Sequence, residues 1–254
     1  MSRRIRVHLS TADANMQALI RATGEYRLTL QPQCHPFESL VRAIAHQQLH
    51  ATAANSILRR FIESCGGGQF PSPERLLEIP EASLRAVGFS LAKIAALRDL
   101  AAKSVAGIVP DRSALLHLGD EQIIERLTEV RGVGRWTVEM LLMFQLGRPD
   151  VFPVDDFGVR NGFRLAYGMR KLPTTRALAT YALRWAPHRT AAAWYLWRAN
   201  DLYKAGRLPA PVEKVRLPRI RRRRRARPTA GTVEERAAAL RARVRTTRKP
   251  RARK

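Results

Sequence analysis

Apolar positions along this chain recur at helical spacing far more often than they alternate, and Gly, Pro and Asp residues punctuate the pattern into short pieces. The first 36 residues read as a lead-in: Asp13–Ala22 has helical potential, Tyr26–Leu30 is extended or strand-like, and Gln31-Pro32-Gln33 makes a turn. A long helix is predicted from about Phe37 to Ser64, with Leu40, Val41, Ile44, Ala45, Ala54, Ile57, Leu58 and Phe61 as its buried stripe and Gly66-Gly67-Gly68 ending it. The run His46-Gln47-Gln48-Leu49-His50 interrupts that stripe and reads as an exposed turn of helix or a surface facing a ligand. Shorter helices are predicted over Pro73–Glu78, Glu81–Val87, Ser90–Val105, Asp111–Leu116 and Asp120–Glu129, each beginning near a residue that favours helix starts. Further helices follow over Val133–Leu146, Asp156–Tyr167, Thr174–Trp185 and Thr190–Ala205. No segment alternates for long, so the fold class expected is all-α.

From Leu208 onward the pattern fails, and composition explains why. The chain has 254 residues, 46 Lys+Arg against 21 Asp+Glu, and a net charge of +25. Residues 207–254 hold 19 of those bases and 3 of the acids, including Arg221-Arg222-Arg223-Arg224-Arg225. Such density repels itself, so 207–254 is expected to be a largely disordered tail that binds a polyanion, with Thr232–Arg245 able to form a basic helix on it. Residues 1–206 form the folded domain and are still basic, which makes a polyanion the expected partner. No apolar run approaches the ~18 residues a membrane helix needs. The start, Met1-Ser2-Arg3-Arg4-Ile5-Arg6, lacks the apolar stretch of a signal peptide, so an intracellular protein is expected. Two cysteines, Cys34 and Cys65, cannot build a four-cysteine zinc or iron–sulfur site.

Two stretches carry chemistry. In Leu127–Val138 a helix, a loop with Gly132 and Gly134, and a second helix form a helix-hairpin-helix pattern. Glycines there let the backbone approach a phosphate closely, and amides at the start of the second helix point at the anion. Packing at a tight turn is the competing reading of such a Gly-x-Gly. About twenty residues on, Asp150-Val151-Phe152-Pro153-Val154-Asp155-Asp156 delivers two adjacent carboxylates at a helix start. Asp is a favoured cap, so one of the pair serves that purpose; two acids in so basic a protein would otherwise face DNA at an electrostatic cost.

Gly132-Val133-Gly134-Arg135-Trp136-Thr137 followed by Asp150–Asp156 resembles the helix-hairpin-helix DNA glycosylase superfamily, and within it the alkylbase glycosylases of the 3-methyladenine DNA glycosylase II type. Phe37–Ile44, Gln47-Gln48-Leu49 and Tyr195-Leu196-Trp197 agree, so the similarity runs from about 35 to 205. The resemblance implies a two-lobed fold with its active site in the cleft between lobes. It implies that Asp156 activates water or stabilises an oxocarbenium-like sugar, with Asp155 as the helix cap or a structural partner. Trp136 stands where lyase-active relatives carry a lysine, which implies a monofunctional hydrolase. Trp136, Trp197 and Tyr195 would line the base pocket, Trp194 being core instead. Gln48 and Leu49 would be the wedge, flanked by His46 and His50 where small residues are usual. Those two histidines have metal-ligand spacing but no glutamate between them, so no zinc site is expected. Gly132, Val133, Gly134, Arg135 and Thr137 would bind DNA phosphate. Backbone carbonyls of Thr128, Val130 and Val133 would hold a structural monovalent cation.

The expected function is therefore hydrolytic removal of alkylated purines, such as 3-methyladenine and 7-methylguanine, from double-stranded DNA in base-excision repair. The protein would act as a monomer, cytoplasmic and nucleoid-associated. Two alternatives stay open: a related glycosylase for deaminated, oxidised or mismatched bases, and a catalytically silent DNA-binding protein.

Overall fold

The computed structural model describes residues 2–31 and 35–217, and in these the regular structure is all helix, with no strand. An N-terminal helix, α1 (Ser2–Ala12), precedes the helix predicted near Asp13. That second helix is α2 (Ala14–Thr23), and Asp13 is its cap, accepting from the Met16 amide at 3.0 Å. Tyr26–Leu30 runs extended without pairing into a sheet, and the Gln31 amide donates to the Phe144 carbonyl at 2.7 Å. Residues 32–34, with Cys34, lie outside the described residues.

The single long helix predicted over 37–64 is two helices, α3 (Pro36–His46) and α4 (Ala51–Gly66). The polar run is the break: Gln47 turns out of helical geometry and Gln48 adopts φ +57°, a left-handed conformation that ends the helix. Periodicity carried across this turn because both helices bury one stripe in the same core. Then follow α5 (Pro73–Glu78), α6 (Glu81–Ala86), α7 (Leu91–Val105), α8 (Arg112–Leu116) and α9 (Asp120–Thr128). Ser72, Ser90 and Asp111 cap three of them through side-chain oxygens. The chain closes with α10 (Arg135–Phe144), α11 (Phe157–Ala166), α12 (Thr175–Ala182), a 3-10 turn at Leu183–Trp185, and α13 (Arg189–Lys204).

The extensive helix–helix packings fall into two sets, α3 to α7 with α9 and α10 on one side, and α1, α2, α11 and α13, with α12 joined through the 3-10 turn, on the other. Their apolar faces join in one continuous core. In the second set the Asp13 carboxylate is buried and accepts from the hydroxyls of Tyr167 and Tyr181 at 2.7 and 2.9 Å, tying α2 to α11 and α12. Burial beside that carboxylate pushes both tyrosines up. Gly162 brings α11 and α13 into contact: a Cβ there would lie 1.8 Å from the Leu196 carbonyl oxygen.

The body does not stop at 206. Residues 208–217 have no regular structure, yet Leu208, Val215 and Leu217 pack against the core. The buried Asn15 side chain accepts from the amides of Val212 and Glu213 at 2.7 and 3.1 Å and donates to the Glu213 carbonyl at 3.0 Å. The arginine run and the predicted helix at Thr232–Arg245 lie outside the described residues.

Candidate active site

Helix α11 holds a carboxylate at its own start. The buried extended run Val151-Phe152-Pro153 leads to it, and Asp156 caps the helix, its Oδ1 accepting from the Val159 amide at 2.7 Å. Of the two roles expected for Asp155, helix cap or structural partner, the first is corrected: Asp156 is the cap, and Asp155, one residue earlier, is exposed. The capping acid and the candidate catalytic acid are the same residue.

Two indoles complete the surroundings of that carboxylate. Trp136, near the start of α10, donates from Nε1 to Oδ2 at 2.9 Å, and Trp197, on α13, donates from Nε1 to Oδ1 at 2.8 Å. Three donors therefore occupy lone pairs of one carboxylate and fix its plane. Gly158 makes room for Trp197, because a Cβ there would lie 2.8 Å from Trp197 Cδ1 and 3.1 Å from Asp156 Oδ1. Asn200 Nδ2 donates to the Gly158 carbonyl at 2.9 Å and holds α13 against α11 at this level.

Trp136 is 48% exposed and walls a cavity of about 780 Å³ between α3 and α10. Its neighbours Met140 and Phe144 follow at intervals of four on the same face of α10, and Leu40, Ala43 and His46 close the other side. Gln31, Gln47, Gln48 and Gln145 add neutral amides, and among the lining residues no Asp, Glu, Lys or Arg occurs. An aromatic and amide-lined space of this size is suited to a flipped base.

Membership of the pocket differs from the expectation. Trp197 sits one layer behind it, stacked on Phe144 with centroids 5.8 Å apart. Tyr195 does not reach it: the ring is fully buried, packed near Tyr26 and Trp194, with its hydroxyl donating to the Gly24 carbonyl at 3.1 Å. Burial pushes that phenol up to about 12. Residues 195 and 197 lie ~200° apart on a helix, so they face opposite ways. Met140 and Phe144, which the sequence reading passed over, were signalled by their four-residue spacing from Trp136.

The hairpin forms between α9 and α10. Gly132 has φ +78°, a conformation open to glycine, and Gly134 caps α10. Val130 and Val133 are buried beneath the loop. The first amides of α10 have no partners within the helix, as at any helix start. Of the expected phosphate contacts, the amides of Gly132, Gly134 and Arg135 donate to no group among the described residues, whereas the Val133 amide is taken by the Val130 carbonyl. The Arg135 guanidinium is committed to Glu121, at 2.9 Å through Nη1, and to Glu139 at 3.0 Å, while Thr137 is buried and lines the cavity. Glu139 is nearly fully buried, and desolvation pushes it up to about 7 despite Arg135.

Across the cavity mouth, Gln48 is exposed and lines the opening, and Leu49 beside it is 40% exposed, which is where a wedge would stand. The carbonyl of Val130 already accepts the Val133 amide at 3.0 Å and keeps one lone pair.

A carboxylate at a helix start, a hairpin between α9 and α10 and an aromatic cavity between α3 and α10 are features of the helix-hairpin-helix class of base-excision enzymes. The chain belongs to the HhH-GPD superfamily of base excision DNA repair proteins, whose family model matches residues 41–188. It is 44% identical over 197 residues to DNA-3-methyladenine glycosylase 1 of Schizosaccharomyces pombe, covering 77% of this chain and 86% of that protein. Among solved structures it is similar to the Schizosaccharomyces pombe 3-methyladenine DNA glycosylase in complex with abasic DNA, at 43% identity and a TM-score of 0.71 over 78% of this chain and 97% of that one. A DNA-3-methyladenine glycosidase from Bacillus halodurans matches at 34% identity and the same TM-score of 0.71, over 78% and 89% of the two chains.

Proposed function

We propose that this protein is a monofunctional DNA glycosylase that hydrolyses the N-glycosidic bond of alkylated purines such as 3-methyladenine and 7-methylguanine, beginning base-excision repair. The observation that carries it is the Asp156 carboxylate fixed by Trp136 and Trp197 beside an aromatic cavity with no lysine or arginine in its lining. N3- or N7-alkylated purines are cations and good leaving groups. An indole face attracts a cation by ~0.5–2 kcal/mol, more when dry.

The donors around Asp156 favour one of its two expected roles. With both oxygens engaged, the carboxylate is poorly placed to take a proton from water and well placed to oppose the positive charge that grows on the sugar as the base departs. Water then attacks the oxocarbenium-like sugar and leaves an abasic site. Trp136 stands at the head of α10 where a lyase would need an amine, so the strand stays intact. The pocket, the wedge turn and the hairpin all come from one chain, which makes a monomer sufficient. A monovalent cation on the carbonyls of Thr128, Val130 and Val133 would add positive charge beside the DNA phosphate. Among the described residues no helix is long and apolar enough to cross a membrane, in keeping with a cytoplasmic, nucleoid-associated enzyme.

The test is base release from methylated duplex DNA, resolved chromatographically. Wild type should release 3-methyladenine or 7-methylguanine, leave no strand breaks and give no covalent complex under borohydride. Asp156→Asn should lower the rate by at least ~100-fold while still binding DNA. Absence of released base from wild type overturns the substrate assignment.

A further inference from the structure

Gln47 leaves the last turn of α3 and opens the turn that carries Gln48 and Leu49. Its side chain reaches the hairpin in an exposed hydrogen bond: Nε2 donates to the Gly132 carbonyl at 2.7 Å, in the loop 85 residues further on. One amide thus joins the turn placed to enter the duplex to the loop placed to hold its backbone.

Both loops also rest on the same helix. At one end of α7, Lys93 Nζ donates to the Ala45 carbonyl at 2.7 Å, in the last turn of α3. Further along, Asp99 Oδ2 accepts from the Arg131 amide at 2.7 Å and from Lys103 Nζ at 2.9 Å, and Lys103 donates again to the Glu129 carbonyl. Between them Ala96 lies under Gly132, where an added Cβ would come within 3.5 Å. Residues 93, 96, 99 and 103 lie along one side of that helix, so α7 sets the height of both loops and Gln47 sets their separation.

We propose that Gln47 is a positioning residue that locks the wedge turn to the hairpin, so that base extrusion and phosphate grip occur as one event. This rests on the reading of the protein as a base-flipping glycosylase. Extruding a paired nucleotide costs a few kcal/mol, least where the base is already unpaired, and a wedge able to recoil from a hairpin-bound duplex would lose that work. The side chain has no part in breaking the glycosidic bond.

Gln47→Met keeps the volume and removes the donor, and Gln47→Glu keeps the shape but sets a carboxylate against the Gly132 carbonyl. Two readouts separate positioning from chemistry. One is the rise in 2-aminopurine fluorescence beside a tetrahydrofuran abasic-site analogue at saturating protein, which requires wedge insertion but no base release. The other is single-turnover excision of 7-methylguanine paired with cytosine, compared with the same lesion in a one-nucleotide bulge. The expected result for both variants is loss of most of the fluorescence rise and an excision rate that falls at least ~10-fold further on the paired lesion than on the bulged one, any loss common to both reflecting the place of Gln47 in the cavity lining. Either variant that folds, judged by its melting transition, decides the matter. Equal losses on paired and bulged lesions, or an intact fluorescence rise, overturn the proposal, as does a wild-type protein that gives no rise. Wild type that gives the rise but releases no alkylated base overturns the glycosylase reading and leaves the coupling standing.

Discussion

Asp156 draws its three donors from three places in the chain: its own helix, a residue twenty positions earlier and one forty-one positions later. Neither tryptophan is a simple stacking surface, because each also spends its only N–H on the carboxylate. On α10, three residues after Trp136, Glu139 is a buried acid. Desolvation outweighs its Arg135 partner and moves it from an ordinary 4.5 up to about 7. The folded protein therefore holds a proton there that the unfolded chain has released, so this contribution to stability is complete below about pH 4.5 and is lost as the pH rises through about 7. Glu139→Gln should accordingly gain stability relative to wild type on going from pH 5 to pH 8, by on the order of 2 kcal/mol, read from melting curves at both values. No relative gain would mean that Arg135 keeps Glu139 ionised throughout. Arg135 retains Glu121 in the variant, which keeps its charge paired.

At the scale of elements, glycines do two different jobs. Gly162 lets α11 and α13 touch, and Gly162→Ala would drive a methyl into the Leu196 carbonyl. Calorimetry should show a loss of about 2–3 kcal/mol, and excision should fall only as far as folded protein is lost. Gly134 is the contrary case: its φ of −99° suits any residue, and an added Cβ would meet nothing within 4 Å. Nothing inside the protein requires that glycine, whereas a phosphate drawn onto the head of α10 would. Gly134→Ala should keep its melting temperature within ~2 °C and bind duplex DNA about ten-fold more weakly, measured by titration at fixed salt. Unchanged affinity would move the phosphate elsewhere. Most helices were legible in the sequence because their caps are local: Ser72, Ser90, Asp111 and Thr174 each accept from an amide three residues on. The break at 47–50 was visible only as polarity, since a left-handed residue such as Gln48 has no periodic signature.

For the whole molecule, the boundary between body and tail governs two separable properties. Asn15 fastens the chain at Val212 and Glu213, and Pro211 packs over Gly168, so residues up to 217 belong to the folded unit. Residues 219–254 add 16 basic and 2 acidic side chains. Truncation after 206 should lower the melting temperature by several degrees, because the backbone groups that satisfy buried Asn15 are removed. Truncation after 218 should leave it unchanged, while weakening affinity for undamaged duplex at low salt by at least ~10-fold and flattening its salt dependence. Equal melting temperatures for the two truncations would show that the 208–217 segment adds nothing to the fold.

Charge, helical periodicity and the motifs around Gly132–Thr137 and Asp150–Asp156 were sufficient for the all-α class and the DNA partner and singled out Asp156 as the candidate acid, because each is written in residues close together along the chain. What meets across space was not written there. Periodicity says which side of a helix is buried but not which element covers it, so the demotion of Tyr195 to the core, the commitment of Arg135 to Glu121 and Glu139, and the bond from Gln47 to Gly132 emerged only with the fold. The same holds for the site itself: Asp156 is one residue of a local motif, but the two indoles that orient it meet only when α10, α11 and α13 are packed together.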